Sequence, residues 1–140
     1  MPSRSRFLIW MLRTIGLFDL LALIAVVSPR KWIAETHSML GMGGFPIEPI
    51  AGYLARCTSI WYASYGMLLW FVSFDAEKYS LLITCLAWTM FVQGFVVAGI
   101  DVSEGMPHWW TVLEGPCCSG LGISLLVLQR LAMASSKRKH

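Results

Sequence analysis

The stretch that decides the fold is SLLITCLAWTMFVQGFVVAGI, residues 80–100. Its 21 positions carry no charge, and Gln93 is the most polar side chain among them. A helix needs about 20 apolar residues to cross the hydrocarbon core of a membrane. The stretch therefore predicts a transmembrane helix.

Three further runs on either side of it have the same character: residues 7–28, 50–74 and 115–134. The first contains two charged residues, Arg13 and Asp19, and the second contains one, Arg56. The third reaches Arg130 only near its end, where a long side chain can extend to the lipid headgroups. Together with residues 80–100, these runs predict four transmembrane helices.

The composition favours lipid over water as the solvent. Hydrophobic residues make up 56% of the 140 residues and charged residues only 14%, whereas soluble domains carry about 25% charged residues. A soluble all-α protein with four such runs buried would have almost no residues left for a wet surface. The first run could instead be a signal peptide, but its length, its internal Asp19 and the lack of a small-residue cleavage site favour a retained helix. We predict an all-α fold, an integral membrane antiparallel four-helix bundle forming a single transmembrane domain over residues 1–140.

The basic residues predict the orientation, because Lys and Arg near the ends of membrane helices concentrate on the cytoplasmic side. Two of them, Arg30 and Lys31, fall on one side of the predicted bundle. The opposite side carries eight, namely Arg4, Arg6, Arg13, Lys78, Arg130, Lys137, Arg138 and Lys139. Both termini are therefore predicted to be cytoplasmic. The basic tail SSKRKH suits an anchor beside anionic lipid, and no nucleic-acid partner is expected.

The segment after Pro29 predicts a short helix lying in the membrane interface between the first two spans. In RKWIAETHSMLGMGGFPIEP, apolar side chains recur at helical spacing on one face, namely Trp32, Ile33, Met39 and Leu40. The glycines of GMGGFP then end the helix. A plain connector and a lid over the outer end of the bundle are the two alternatives.

The last loop predicts an aromatic belt followed by the fourth span. Trp109 and Trp110 are adjacent, and tryptophan is enriched where membrane helices meet water. A proline inside a helix costs a hydrogen bond. We therefore expect a short turn that ends near Gly115 and a fourth span that begins at Pro116.

Arg56 poses the main question of the sequence, because a lone charge inside a membrane costs several kcal/mol. It lies roughly 10 Å along its helix from Pro49, and Asp19 lies roughly 15 Å along the first span from Pro29, at about 1.5 Å per residue. Both distances are measured from the same side of the membrane. We expect Asp19 and Arg56 to pair, or to share a small polar cluster, in the outer half of the bundle.

Other polar residues fall at the same end and suggest a ligand-binding pocket. The candidate binding residues are Asp19, Tyr53, Arg56, Asp101 and Glu114. The alternative is a structural ion-pair network with ordinary interface charges around it. The sequence does not decide between the two.

Small residues recur every four positions on the second span, which lets helix backbones approach closely. The predicted helix-packing residues are Ala51, Ala55, Ser59, Ala63 and, on the fourth span, Gly122. Gly115 and either Cys118 or Ser119 continue the fourth-span pattern. The two stripes could pack against each other or serve a neighbouring subunit.

No catalytic or metal-binding residue is predicted. The four cysteines form no CxxC motif, and the three histidines have no metal-binding spacing. No phosphate-binding loop or nucleophile motif occurs. The sequence leaves the identity of any cofactor open.

Two blocks, YLARCTSIWYASYG at residues 53–66 and GMPHWWTVLEGP at residues 105–116, resemble those of small uncharacterised bacterial four-span proteins. The nearest named architecture is the DoxX-like four-helix family, which the chain resembles in length, span count and the interfacial segment after the first span. The resemblance implies a bundle in the bacterial inner membrane, and it assigns no functional residue.

These observations favour a small non-catalytic membrane protein, an oligomerising or accessory subunit whose partners are the bilayer, other membrane subunits or further copies of itself. The second hypothesis is a membrane protein or enzyme that binds a lipid, quinone or small anion around Arg56. An ion or proton channel is the third hypothesis, but the predicted helices lack a polar stripe that would line a pore.

Overall fold

The computed structural model describes residues 3–137, and this part of the chain is helical without any β-strand. Its α-helices are α1 (Ser3–Leu20), α2 (Leu23–Val27), α3 (Arg30–Met39), α4 (Pro49–Val72), α5 (Ser80–Ser103) and α6 (His108–Lys137), with a 3₁₀ turn at Ser73–Asp75. Two basic residues used to predict the orientation, Arg138 and Lys139, lie outside the described residues.

Three helical segments of the described chain are long and apolar enough to cross a membrane. They are Ser5–Val27, which covers most of α1 and all of α2, Ser80–Ser103 and His108–Ala134. In their most apolar stretches only 22%, 28% and 17% of the residues are buried within the protein. Such low burial leaves most of the apolar surface for contact with lipid, and the chain is therefore interpreted as a membrane protein.

The second predicted span is a helix, but it is not among these three segments. Helix α4 is 24 residues long, so length is not the limit. Arg56 and a run of tyrosine, tryptophan and serine side chains between residues 53 and 65 lower its mean hydropathy. A four-helix membrane bundle is consequently a proposal for which α4 is the deciding helix.

The described chain divides into two compact units, one of residues 15–70 and one of the residues up to 14 together with those from 71 onward. Within residues 15–70, α1 and α4 cross at Gly16 and Gly66. A Cβ atom added to Gly66 would lie 2.6 Å from the carbonyl oxygen of Gly16 and 2.7 Å from the Cβ of Asp19. The two backbones can be this close only because neither crossing residue has a side chain.

In the other unit, α5 and α6 pack along a stripe of small residues. A Cβ atom added to Gly94 would lie 2.6 Å from the amide nitrogen of Ser119, and one added to Gly122 would lie 2.6 Å from the carbonyl oxygen of Ala87. A Cβ atom added to Gly115 would lie 2.7 Å from the Cβ atom of Ala98. Because these contacts recur along both helices, α5 and α6 run antiparallel in close contact.

A buried polar contact joins α5 and α6 near the start of α5. Gln129 is only 2% exposed. Its amide nitrogen donates to the carbonyl oxygen of Ser80, and its amide oxygen accepts a 3.0 Å hydrogen bond from the Thr84 hydroxyl. This pairing offsets the desolvation of a buried amide. It also fixes the register of α5 against α6, because the other contacts between the two helices involve small or apolar residues.

Helix α6 corrects the predicted start of the fourth span. The helix begins at His108 and continues through Pro116 without a break, so the short separate turn ending near Gly115 does not form. The amides of Trp110 and Thr111, in its first turn, donate to the carbonyl of Pro107. A proline within a helix removes one backbone hydrogen bond, and neighbouring helices help membrane helices tolerate it. Here Gly115, next to the proline, is buried against α5.

The carboxyl end of α5 extends three residues beyond the predicted end at residue 100. Gly105 has a φ of 67°, its amide donates to the carbonyl of Val102, and the amide of Met106 donates to the carbonyl of Asp101. These two bonds and the left-handed glycine form a Schellman cap. The glycine therefore determines where α5 ends.

Candidate functional site

Arg56 lies beside the carboxyl end of α2. Its Nε donates to the carbonyl oxygen of Val26 at 3.2 Å and its Nη2 to that of Ser28 at 2.9 Å. Its Nη1 contacts the carbonyl oxygen of Gly52, one turn earlier in α4, at 3.4 Å. The last carbonyls of a helix have no partner within the helix. Arg56 therefore satisfies the end of α2 and joins it to α4.

The predicted ion pair between Asp19 and Arg56 does not form. Asp19 lies beside Gly66, ten residues or about 15 Å further along α4 than Arg56. Its carboxylate makes no hydrogen bond or ion pair with the side chains described, those of residues 5–134. The predicted depths of the two residues assume that Pro29 and Pro49 lie at the same level of the membrane. In the structure the first two turns of α4 extend past the end of α2, so Arg56 lies beside Ser28.

Arg30, the first residue of α3, organises the loop between α3 and α4. Its Nη2 donates to the carbonyl oxygens of Pro46 and Glu48, each at 2.7 Å. Its guanidinium also lies over the ring of Phe45, 5.8 Å from the ring centre. These contacts bind the loop to the start of α3 and keep one edge of the guanidinium occupied.

The guanidinium groups of Arg30 and Arg56 approach the same point, the open side of Gly52. A Cβ atom added to this glycine would lie 3.3 Å from Nη1 of Arg56 and 3.8 Å from Nη1 of Arg30. Gly52 is buried, while both arginines are half-buried. The missing side chain leaves the space into which the two Nη1 groups point. We call Arg30, Gly52 and Arg56 the arginine pair site.

No carboxylate within the described chain forms an ion pair with either guanidinium. The two Nη1 atoms are at most about 7 Å apart, and two like charges at that distance repel by roughly 2 kcal/mol at an effective dielectric constant of about 20. Nε and Nη1 of Arg30 donate to no described residue, and Arg56 keeps one N–H on each Nη. The arginine pair site thus combines uncompensated positive charge with unused donors, which is the arrangement that binds an anion.

The other predicted pocket residues are distributed over both units. Tyr53 is 62% exposed on α4. Glu114 accepts a hydrogen bond from the indole of Trp110. Asp101 is 5% exposed, and its Oδ2 has no hydrogen-bond partner in the described chain. Of the five predicted residues, only Arg56 is placed at the arginine pair site by the contacts given above.

The sequence interpretation missed Arg30 and Gly52. From the sequence, Arg30 bears only on the orientation of the chain, and Gly52 lies in no predicted motif. The signal available in the sequence was the glycine one helical turn before Arg56, together with an arginine directly after the proline that ends α2. What the sequence could not supply was the loop path that brings Arg30 back over α4.

A second exposed polar feature lies on α5. An open groove there is lined by Cys85, Trp88, Thr89, Val92, Gln93 and Val96. The Thr89 hydroxyl donates to the carbonyl of Cys85 in its own helix. The Gln93 side chain is exposed and makes no hydrogen bond with any residue from 5 to 134. The groove therefore presents one unpaired amide halfway along an apolar helix.

The predicted helix-packing residues are partly engaged within the chain. On α4, Ala63 is 3% exposed and the side chains of Ala51, Ala55 and Ser59 are half-buried. On α6, Gly122 packs against Ala87 and Phe91 of α5. The small-residue stripe of α6 therefore serves the α5–α6 contact and is not open to another subunit.

None of the four cysteines forms a disulfide bond. No group of three or more histidine, cysteine or acidic side chains in residues 3–137 is arranged to hold a metal ion.

The chain matches no protein-family model, and neither a curated protein nor a solved structure matches it significantly. The resemblance to DoxX-like proteins therefore stays an expectation from the sequence, and the function has to be inferred from the geometry.

Proposed function

We propose that this chain is an integral membrane protein of four crossings, with α3 in the interface and both termini on the cytoplasmic side of a bacterial inner membrane. Three crossings are supported by their length and hydropathy. The fourth, α4, is supported by the position of its only charge. Arg56 is bonded at the end of α2, close to the membrane surface, where an arginine costs far less than at the bilayer centre.

Within this frame the protein acts as a non-catalytic subunit that assembles through the groove on α5. The single observation that carries this function is the unpaired amide of Gln93 in that groove. An amide facing hydrocarbon without a hydrogen bond costs several kcal/mol. A second helix lying in the groove removes that cost by supplying a partner.

The proposed occupant is a second copy of the chain. An amide carries both a donor and an acceptor, so two Gln93 side chains related by a two-fold axis can bond to each other reciprocally. Such an interface uses the same surface on both subunits, as in most homodimers. Interhelical hydrogen bonds of this kind contribute about 0.6–2 kcal/mol each in membranes.

Gln93→Leu is expected to convert the assembled protein into a monomer, because leucine fills similar space but has no hydrogen bond to offer. Ser124→Ala is the control, since Ser124 is exposed on α6 outside the groove and its hydroxyl bonds the carbonyl of Gly120 in its own helix. It should leave the assembly intact. The mass of each protein in a mild detergent, measured by light scattering, decides the matter. A monomeric wild type, or an unchanged mass for Gln93→Leu, contradicts the proposal.

A second function is favoured by the arginine pair site, which supports the binding of an anionic ligand on the side opposite the termini. The supporting observation is the convergence of two uncompensated guanidinium groups on Gly52. This function needs no catalytic residue. It is compatible with assembly through α5, because the two sites share no residue.

A further inference from the structure

We infer that the arginine pair site binds a phosphate group at the membrane surface, with Arg30 and Arg56 as its two ligating side chains. The inference rests on the second function proposed above, and it is independent of assembly through Gln93. Two sources carry the same chemistry at this level of the membrane, a phospholipid headgroup and a free phosphate ion.

The donors that remain on the two arginines match a phosphate better than a single guanidinium would. Arg30 offers Nε and both hydrogens of Nη1, and Arg56 offers one hydrogen from each Nη. A planar guanidinium binds phosphate oxygens in pairs. A phosphate has enough oxygens to accept from two such groups at once, so one ligand can bridge α3 and α4.

The site is organised before any ligand binds. The backbone carbonyls of Pro46 and Glu48 hold Arg30, and those of Val26 and Ser28 hold Arg56. These contacts fix two flexible side chains despite the repulsion between their charges. An anion that binds between them therefore meets donors that are already placed, which lowers the entropic cost of binding.

The position of the site on the chain favours a lipid as one source of the phosphate. It lies where α2 ends and α3 begins, and α3 carries exposed apolar side chains. Trp32 is 61% exposed and Met39 is 87% exposed. Ile47, in the loop after α3, is also 87% exposed. Such residues suit insertion at the level of the headgroups, where the phosphates of phospholipids also lie.

The test uses the full chain purified in dodecyl maltoside. Phosphatidylglycerol or inorganic phosphate is added separately, and binding is measured as the rise in the unfolding temperature with ligand concentration. The variants are Arg30→Gln and Arg56→Gln, which remove one charge each and keep an amide donor. Lys31→Gln is the matched control, because it removes a neighbouring positive charge that pairs with Glu35 in α3.

We expect phosphatidylglycerol to bind the wild type and Lys31→Gln equally, and to bind Arg30→Gln and Arg56→Gln at least about tenfold more weakly. If inorganic phosphate binds with the same dependence on both arginines, the inference holds and the ligand is a soluble phosphate. If neither ligand binds the wild type, or if binding is the same in all four proteins, the inference is wrong. The mass measurement on Gln93→Leu is unaffected by either outcome.

Gly52→Ala supplies a variant that keeps both charges and covers the case in which Arg56→Gln does not fold. Its methyl group would occupy the space between the two Nη1 atoms, 3.3 Å from Arg56. We expect a several-fold loss of affinity for whichever phosphate ligand binds. Gly99→Ala is the control and should bind as the wild type does, because nothing outside the local helix lies within 4 Å of a Cβ atom added there. Equal affinity of Gly52→Ala and Gly99→Ala contradicts a ligand seated at this glycine.

Discussion

Gly94→Ala is expected to loosen the contact between α5 and α6 and to destabilise the protein by about 2 kcal/mol or more. The added methyl would lie 2.6 Å from the amide nitrogen of Ser119 and would also overlap the carbonyl of Gly115. Both are backbone atoms of a packed helix, so neither can rotate away. Overpacking of this kind costs about 1–3 kcal/mol and sometimes more, which outweighs the better helix propensity of alanine.

Gly99→Ala is the matched control for this change, since it makes the same substitution five residues later in the same helix. No atom outside the local helix lies within 4 Å of the added methyl. Alanine in place of a helical glycine then stabilises by about 0.5–1 kcal/mol. Thermal unfolding of both variants in one detergent, followed by circular dichroism, gives the comparison. Similar unfolding temperatures for the two would mean that α5 and α6 do not pack at Gly94.

Gly66→Ala is expected to have an effect of similar size on the crossing of α1 and α4. The methyl would lie 2.6 Å from the carbonyl oxygen of Gly16 and 2.7 Å from the Cβ of Asp19. Relief requires the two helices to move apart, which removes contacts along both of them. We expect a loss of about 2 kcal/mol in the free energy of unfolding.

Ser64→Ala tests whether the loss at Gly66 is specific. Ser64 is exposed on the same helix, two residues earlier, and its hydroxyl bonds only the carbonyl of Ile60 in its own helix. Replacing it should change the free energy of unfolding by no more than about 0.5 kcal/mol. If Gly66→Ala unfolds at the same temperature as Ser64→Ala, the close approach of α1 and α4 is not present in the protein.

The helices themselves could be predicted from the sequence because hydrocarbon imposes a simple rule on length and polarity. Residues 80–100 satisfy that rule without exception, and they form most of α5. The helix ends at Ser103, three residues beyond the predicted end and two residues before the left-handed Gly105. The rule is weaker for α4, where Arg56 and the aromatic and hydroxyl side chains lower the hydropathy. Composition therefore predicts that both segments are helical, but it predicts membrane crossing for α5 more clearly than for α4.

The contacts around Arg56 could not be predicted because they depend on how far one helix extends past its neighbour. Distances counted along the helices from Pro29 and Pro49 predict that Asp19 and Arg56 lie within reach of each other. The helices instead bring Asp19 level with Gly66, while backbone carbonyls at the end of α2 meet Arg56. Backbone acceptors have no sequence signature, so an arginine that binds them looks the same in a sequence as one that needs an acid.

Packing faces were likewise ambiguous from spacing alone. The glycines of α6 suit a contact within the chain as well as one between subunits, and only the close approach of Gly122 to Ala87 shows which contact they make. Pro116 lacks an amide hydrogen, which predicts a helix start at that residue. Helix α6 nevertheless continues through it.

Side-specific cysteine labelling on either side of α4 tests the proposed membrane topology most directly. In a variant without the four native cysteines, Gly44→Cys places a thiol before α4 and Glu77→Cys places one after it, both at exposed positions. Spheroplasts of a bacterial host are treated with a membrane-impermeant maleimide before and after lysis. We predict that the Gly44→Cys variant is labelled in intact spheroplasts, and that the Glu77→Cys variant is labelled only after lysis. Equal labelling of both variants in intact spheroplasts would show that α4 does not cross the membrane, and the account would fail.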